Sequence, residues 1–167
     1  MITQFRGDSN VYEVLKQLHI PFEYYEHPPV PTVKEAAIYW KNLDAVHCKN
    51  LFFRNHKGDK HFLVIFEYSH NIAIRDLEQR IKQGKLTFGS EQRLMKYLGL
   101  TPGSVSPFGL IHDTNKHIHL FLDEHLKKAE KISFHPNLNT ASLVISYPDF
   151  IKYLCFQGNT FEYVKLY

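Results

Sequence analysis

The run HFLVIFE at 61–67 constrains this chain more than any other stretch. Phe62 to Phe66 leave no polar side, so a strand here must be covered on both faces. Upstream, CKNLFFR (48–54) also reads as a strand, and NHKGDK (55–60) between the two is a polar connection with a single glycine. A hairpin buried in this way needs a sheet with helices packed against it. The chain has 167 residues, enough for one domain with a real core.

The rest of the chain fills in that sheet. Ser9 and Asn10 are expected to cap a helix that places Val11, Val14, Leu15 and Leu18 on one face and stops at Pro21. FEYYEH (22–27) reads as a short strand, and HPPVP (27–31) as a stiff turn. Thr32 followed by Glu35 is a capping-box signature for a short helix through Ala36 and Ala37. Helical patterns follow near 75–83 and 90–98, the second closed by Gly99. HIHLFLDE (117–124) alternates, ISF and ASLVISY are further strands, and FEYVKL closes the chain as a strand. Pro148 suits the first turn of a helix that carries Phe150, Ile151 and Leu154 and ends near Gly158. The sum is about seven strands and about five helices. Strands follow one another without regular helix alternation in the second half. The expected fold is therefore α+β, a single domain with a central mixed, curved sheet flanked by helices, rather than a doubly wound parallel sheet.

Composition excludes several classes. Hydrophobic residues make up 44% and charged residues 22%, and no run is long enough to span a bilayer. MITQFRGDSN carries no basic-then-apolar signal pattern, so a cytoplasmic location is expected. Cys48 and Cys155 do not make a disulfide framework. The formal charge of +3, from 20 basic and 17 acidic residues, suits contact with a short piece of RNA better than wrapping of a duplex. There is no Walker loop, GxGxxG or GxSxG.

Three stretches remain as chemistry. LTPGSVSPFGL (100–110) holds Pro102, Gly103, Pro107 and Gly109 among apolar residues. It is either a rigid connector or a loop whose amides at Gly103, Ser104, Val105 and Ser106 converge on an oxygen. In HCKNLFF, alternation puts Lys49, Leu51 and Phe53 on one side and Cys48, Asn50 and Phe52 on the other. Lys49 is either a fixed charge for a phosphate or carboxylate, or a strand-end lysine reaching solvent. Cys48 reads as a buried structural thiol. In SFHPNLNTAS, His135 either donates to a carbonyl or orients a water, or simply closes a strand beside the amides of Asn137 and Asn139. His117 and His119, at i and i+2, offer half a zinc site with no pattern to complete it.

Taken together, IPFEYYEHPPVPTVKEAA, KNLFF, SEQRLMKYLGLTPGSVSPFGLIHD and ISFHPNLNTASL resemble the YbaK-like aminoacyl-tRNA deacylase family. The resemblance is to its freestanding prolyl-tRNA editing branch, and it runs in order along nearly the whole chain. It implies one editing domain over 1–167 that hydrolyses the ester of mischarged tRNA, with alanine on proline tRNA as the expected substrate. It implies Lys49 and His135 as catalytic positions. The substrate-binding residues it implies are Thr32, Val33, Ala36, Asn50, Asn137 and the loop Gly103, Ser104, Val105, Ser106, Pro107, Phe108 and Gly109. No cofactor or metal is called for. The partners implied are the acceptor 3′ end of tRNA(Pro) and a prolyl-tRNA synthetase. The alternatives are a deacylase for cysteine or serine, and a non-catalytic module that binds tRNA or a synthetase. His112 stands where the family pattern has asparagine.

Overall fold

The computed structural model describes residues 4–29, 33–41 and 43–167. The described residues form eight strands: β1 (Glu23–Glu26), β2 (Val46–Asn55), β3 (His61–Glu67), β4 (Leu86–Phe88), β5 (His119–Asp123), β6 (Lys131–Phe134), β7 (Ala141–Ser146) and β8 (Phe161–Val164). The α-helices are α1 (Ser9–Gln17), α2 (Val33–Trp40), α3 (Ile74–Ile81), α4 (Glu91–Leu98) and α5 (Tyr147–Gln157), with 3₁₀ turns at Pro107–His112 and Glu124–Lys128. The strands run β1-β7-β6-β2-β3-β5-β8 across one sheet, with β4 also on β2. β2/β6, β3/β5 and β5/β8 are parallel and the other pairs antiparallel, so the sheet is mixed and α+β. Among the described residues no helix is long and apolar enough to cross a membrane.

β2 and β3 form the expected hairpin, paired from Cys48↔Glu67 to Arg54↔His61. The Asn55 side chain closes it by accepting from the amides of Gly58, Asp59 and Lys60. Phe62 to Phe66 are each 3% exposed or less, as an unbroken apolar run requires. One core holds Cys48, Phe52, Leu63, Ile65, Phe108 and the apolar faces of α1, α4 and α5. A second, on the other face, holds Phe53, Phe62, Val64 and Phe66 under Leu77 and Ile81 of α3.

The other edge of β2 is shared. β6 pairs with Val46 and His47, and β4 pairs with Phe53, Arg54 and Asn55. Between these two ladders the middle of β2 has no strand beside it on that edge among the described residues.

Two expectations need correction. The cap of α1 is Asp8, whose carboxylate accepts from the Asn10 amide at 3.0 Å; Ser9 and Asn10 are already helical. The helix ends at Gln17, before Pro21, because the chain turns through a left-handed His19. Strand β4 had no sequence signal, since three residues cannot display an alternation. The caps Ser90 and Gly99 on α4, and Ser146 and Gly158 on α5, are where local chemistry puts them.

Asp113 ties the end of the first 3₁₀ turn to β5 and β8. It is 4% exposed and accepts from the amides of His117 (3.1 Å) and Ile118 (2.8 Å) and from Asn159 Nδ2 (2.8 Å). Asp113→Ala would strand these donors in the interior. A loss of about 2–4 kcal/mol is expected in urea unfolding, and a variant of unchanged midpoint would contradict this account.

Candidate active site

The parallel register of β2 on β6 sets His47 beside Ser133, so both side chains leave the same face of the sheet. Lys49 and His135, each two residues further along, point the same way. β1 and β7 extend this face: Tyr25 lies opposite Ser142, and His27 follows two residues later. Helix α2 lies over it through Ala36 and Trp40, both buried. Trp40 stacks flat on His47, with ring centroids 4.4 Å apart and an interplanar angle of 2°. Tyr68 meets Trp40 edge-on, Tyr39 stacks near His27, and His135 sits between His27 and Trp40.

Burial disfavours the charged form of His47 and His135. His135 Nδ1 donates to the Ala141 carbonyl at 2.7 Å, which leaves Nε2 as an acceptor. Burial lowers its pKa, partly opposed by that carbonyl. His27 donates through Nδ1 to the Pro28 carbonyl, and its Nε2 takes the Ser142 hydroxyl at 2.9 Å. His47 is 3% exposed, neither ring nitrogen has a hydrogen-bond partner among the described residues, and burial, reinforced by His135, pulls its pKa down to about 4. A neutral ring can accept a hydrogen bond without adding charge to the site.

Lys49 supplies the charge. Its ammonium donates to the His70 carbonyl and to Asn71 Oδ1 (2.6 Å), both in the connection between β3 and α3. These acceptors are neutral dipoles, and among the described residues Lys49 makes no ion pair. Burial lowers its pKa, and Glu67 nearby opposes that shift. An ammonium has three N–H donors, so one remains for a ligand.

The loop takes shape at Thr101–Ser104. Ser104 N donates to the Thr101 carbonyl at 3.2 Å, with Pro102 and Gly103 at the corner and Gly103 at φ +88°. That is a type II turn, which wants proline first and glycine second. Ser104's amide is thereby committed, which reduces the expected donors to Gly103, Val105 and Ser106; among the described residues these amides have no acceptor. Gly103 is exposed, and its α-carbon lies beside the Asn139 amide.

Pro107, Phe108 and Gly109 are fully buried. A Cβ on Gly109 would stand 2.8 Å from Leu100 Cδ1, so only glycine lets this turn lie on α4. These three residues brace the loop from behind. Tyr153 donates to the Pro107 carbonyl at 2.8 Å, and Asn137 Nδ2 reaches the Phe108 carbonyl at 3.4 Å. The loop is thus fastened to the turn that carries His135.

Of the expected residues, the structure brings His135, Ala36 and Lys49 to one face. Asn50 leaves the opposite face of β2, where its Oδ1 is buried with no hydrogen-bond partner among the described residues. Thr32 lies outside the described residues; Val33 begins α2, and its side chain is likewise not described. Cys48 is buried, with its thiol pKa raised by burial. His117 and His119 turn to different partners, His61 at 2.8 Å and Thr160 at 2.6 Å. His27, His47, Trp40, Tyr68 and Ser142 were not singled out from sequence. Alternation along FEYYEH and VHCK would have put His27 and His47 on a face, though not on this one.

These features define a small α+β domain in which one sheet face carries buried imidazoles under the rings of α2, beside the anchored ammonium of Lys49. A model of the aminoacyl-tRNA editing domain matches residues 27–153. The prolyl-tRNA editing protein ProX of Acetoanaerobium sticklandii is 40% identical over 153 residues, 91% of this chain and 93% of that protein. The prolyl-tRNA synthetase associated domain-containing protein 1 of Danio rerio is 32% identical, over 85% of this chain and 78% of its own length. In three dimensions, a candidate trans-editing enzyme for prolyl tRNA synthetase superposes with a TM-score of 0.67 at 22% identity, over 94% of this chain and 95% of its own. The hypothetical protein APE2540 gives 0.70 at 19%, over 92% and 97%. These two likenesses concern the fold alone. The chain belongs to the aminoacyl-tRNA editing domain family. Its reaction class is deacylation, and its substrate class is mischarged tRNA.

The buried histidines carry a pH signature. His47 and His61 are both pulled from 6.5 to about 4, chiefly by burial. Between those values the unfolded chain binds protons that the native state refuses, so stability falls as pH drops from about 6.5 towards about 4. His47→Phe, which preserves the stack on Trp40, is expected to flatten the fall in urea midpoint across that window. An unaltered slope would show that His47 is protonated in the native state.

Proposed function

We propose that this protein hydrolyses the ester of alanine mischarged onto proline tRNA, acting in trans on the acceptor 3′ end. The observation that carries the reading is the anchored ammonium of Lys49, which makes no ion pair among the described residues, on the same sheet face as His135. The names of the similar ProX and synthetase-associated proteins support prolyl-tRNA as the setting. The whole of 1–167 acts as one editing domain, in the cytoplasm, and a prolyl-tRNA synthetase is the natural partner to hand over its errors.

The ester needs only water. Water's oxygen bonds to the carbonyl carbon, the carbonyl oxygen takes up negative charge, and the bond to the ribose oxygen breaks. Water's proton ends on that ribose oxygen, giving free alanine and uncharged tRNA. The amides of Gly103, Val105 and Ser106 receive the oxyanion, and Lys49 holds the phosphate of the 3′ end or the developing charge. His135 Nε2 accepts from the substrate amino group or water and, with Trp40 and Ala36, limits side-chain size.

Size is the right criterion. A synthetase pocket made for proline excludes the smaller alanine poorly, because missing methylenes are worth only about 1–3 kcal/mol. A second pocket that alanine enters and proline does not removes the error by sterics. The polar lining of His27, Ser142 and His135 favours seryl- or cysteinyl-tRNA as the second substrate to examine.

Deacylation of alanyl-tRNA(Pro) beside prolyl-tRNA(Pro), with catalytic amounts of protein, tests the reading directly. Rapid loss of the alanyl ester alone is expected, whereas tight tRNA binding without cleavage would make the protein a binding module. Lys49→Ala should reduce kcat/KM by about 100-fold or more with its melting temperature unchanged; near-normal turnover would remove Lys49 from the chemistry. His135→Ala should widen the choice among alanyl, seryl and prolyl esters more than it slows the alanyl reaction. Unchanged selectivity would assign the size limit to other walls.

A further inference from the structure

The segment that holds Lys49 has no regular structure of its own between Glu67 and Ile74. Ser69 and His70 bond locally to Glu67 and Tyr68 N donates to the His47 carbonyl at 3.0 Å, and parts of the chain distant in sequence hold it further. The His70 ring stacks on Tyr167, with centroids 3.5 Å apart and an angle of 12°. A second imidazole, His125, stacks on the same tyrosine at 4.4 Å and 5°. Two rings so nearly parallel to Tyr167 must lie on opposite faces of it, so the tyrosine is the middle of a three-ring pile.

One buried carboxylate sets that pile. Asp123 is fully buried at the end of β5. Its Oδ2 accepts from the His125 amide at 3.2 Å and meets the His125 ring at 3.0 Å. Its Oδ1 accepts from the Leu166 amide at 3.1 Å, which fixes the chain immediately before Tyr167. Leu166 itself is buried in the second core. Rigidity therefore passes from Asp123, through His125 and Leu166, to Tyr167, and from Tyr167 to the residue whose carbonyl receives the Lys49 ammonium.

Asn71 adds a chemical condition. It meets the ammonium at 2.6 Å through an amide oxygen. A carboxylate there would hold the same geometry but cancel the charge. A lysine side chain is flexible and loses much rotamer freedom when fixed, so its aim depends on how well its acceptors are held.

We propose that Tyr167 and Asn71 are positioning residues for Lys49: Tyr167 clamps the 68–73 connection by ring stacking, and Asn71 orients the ammonium while leaving it charged. This rests on the reading of Lys49 as the charge that serves the ester. Neither residue touches the reacting atoms.

Tyr167→Ala should lower kcat about ten- to a hundredfold with KM within about twofold, because the lysine is misplaced rather than removed. Tyr167→Phe, which keeps the ring, should restore kcat. Asn71→Asp should lose activity although the protein melts no earlier than the parent. A residue with a merely structural part would tolerate that change. The Lys49 ammonium is followed separately by ¹H–¹⁵N spectra of ¹⁵N-lysine-labelled protein, its signal assigned by its absence in Lys49→Arg. In Tyr167→Ala that signal should broaden or vanish.

A sharp, unshifted Lys49 signal in Tyr167→Ala, or full activity in Asn71→Asp together with an unchanged signal, overturns the proposal. A lost signal with undiminished deacylation upholds the clamp and instead removes Lys49 from the chemistry, so the two ideas fail separately. Should Tyr167→Ala not fold, Asn71→Asp, which leaves the stack intact, decides by the same signal and kcat.

Discussion

Backbone peptide groups must find partners, and β2 satisfies this requirement unevenly. Its edge towards β3 is paired along the hairpin, while its other edge is served first by β6 and then by β4. The interval between those two neighbours is where Lys49 and Asn50 lie. Everything in the site depends on this arrangement. The β6 ladder fixes which face His135 shares with Lys49, and among the described residues no continuous neighbour covers the middle of β2 on that edge.

The electrostatics follow from the same geometry. Imidazoles taken from water without a counter-ion stay neutral, which is what burial enforces at His47 and His135. Lys49 keeps its proton because its ammonium meets carbonyl dipoles and sits near Glu67. A charge held by dipoles projects more field outward than one held by a carboxylate. A face of buried imidazoles beside such a charge suits a ligand that is itself partly anionic and that develops more negative charge on the way to product.

Rigidity in the loop comes from several independent fastenings. The type II turn sets its entry, Tyr153 and Asn137 hold its carbonyls, and Gly109 lets it sit against α4. Each was legible only in part. The turn could be read from Thr101-Pro102-Gly103 because its cause is local, a fixed proline φ followed by a positive one. That Asn137 braces Phe108 could not be read, since the two are brought together only by folding. The same distinction separates the caps of α4 and α5, plain in the sequence, from β4, whose three residues become a strand only because β2 offers them an edge.

The amino-acid sequence by itself determined the strand buried on both faces, the hairpin, most helix ends, the rigid loop and the resemblance carried by KN, GSVSP and FHPN. Each of these depends on dihedral preferences or on periodicity within a few residues. Tertiary structure alone decided that His27, His47, Trp40 and Tyr68 surround His135, that Asn50 turns away from Lys49, and that Tyr167 stands behind the lysine's acceptors. Those relations are set by strand order and register, and a chain's local propensities carry no information about which strands will become neighbours.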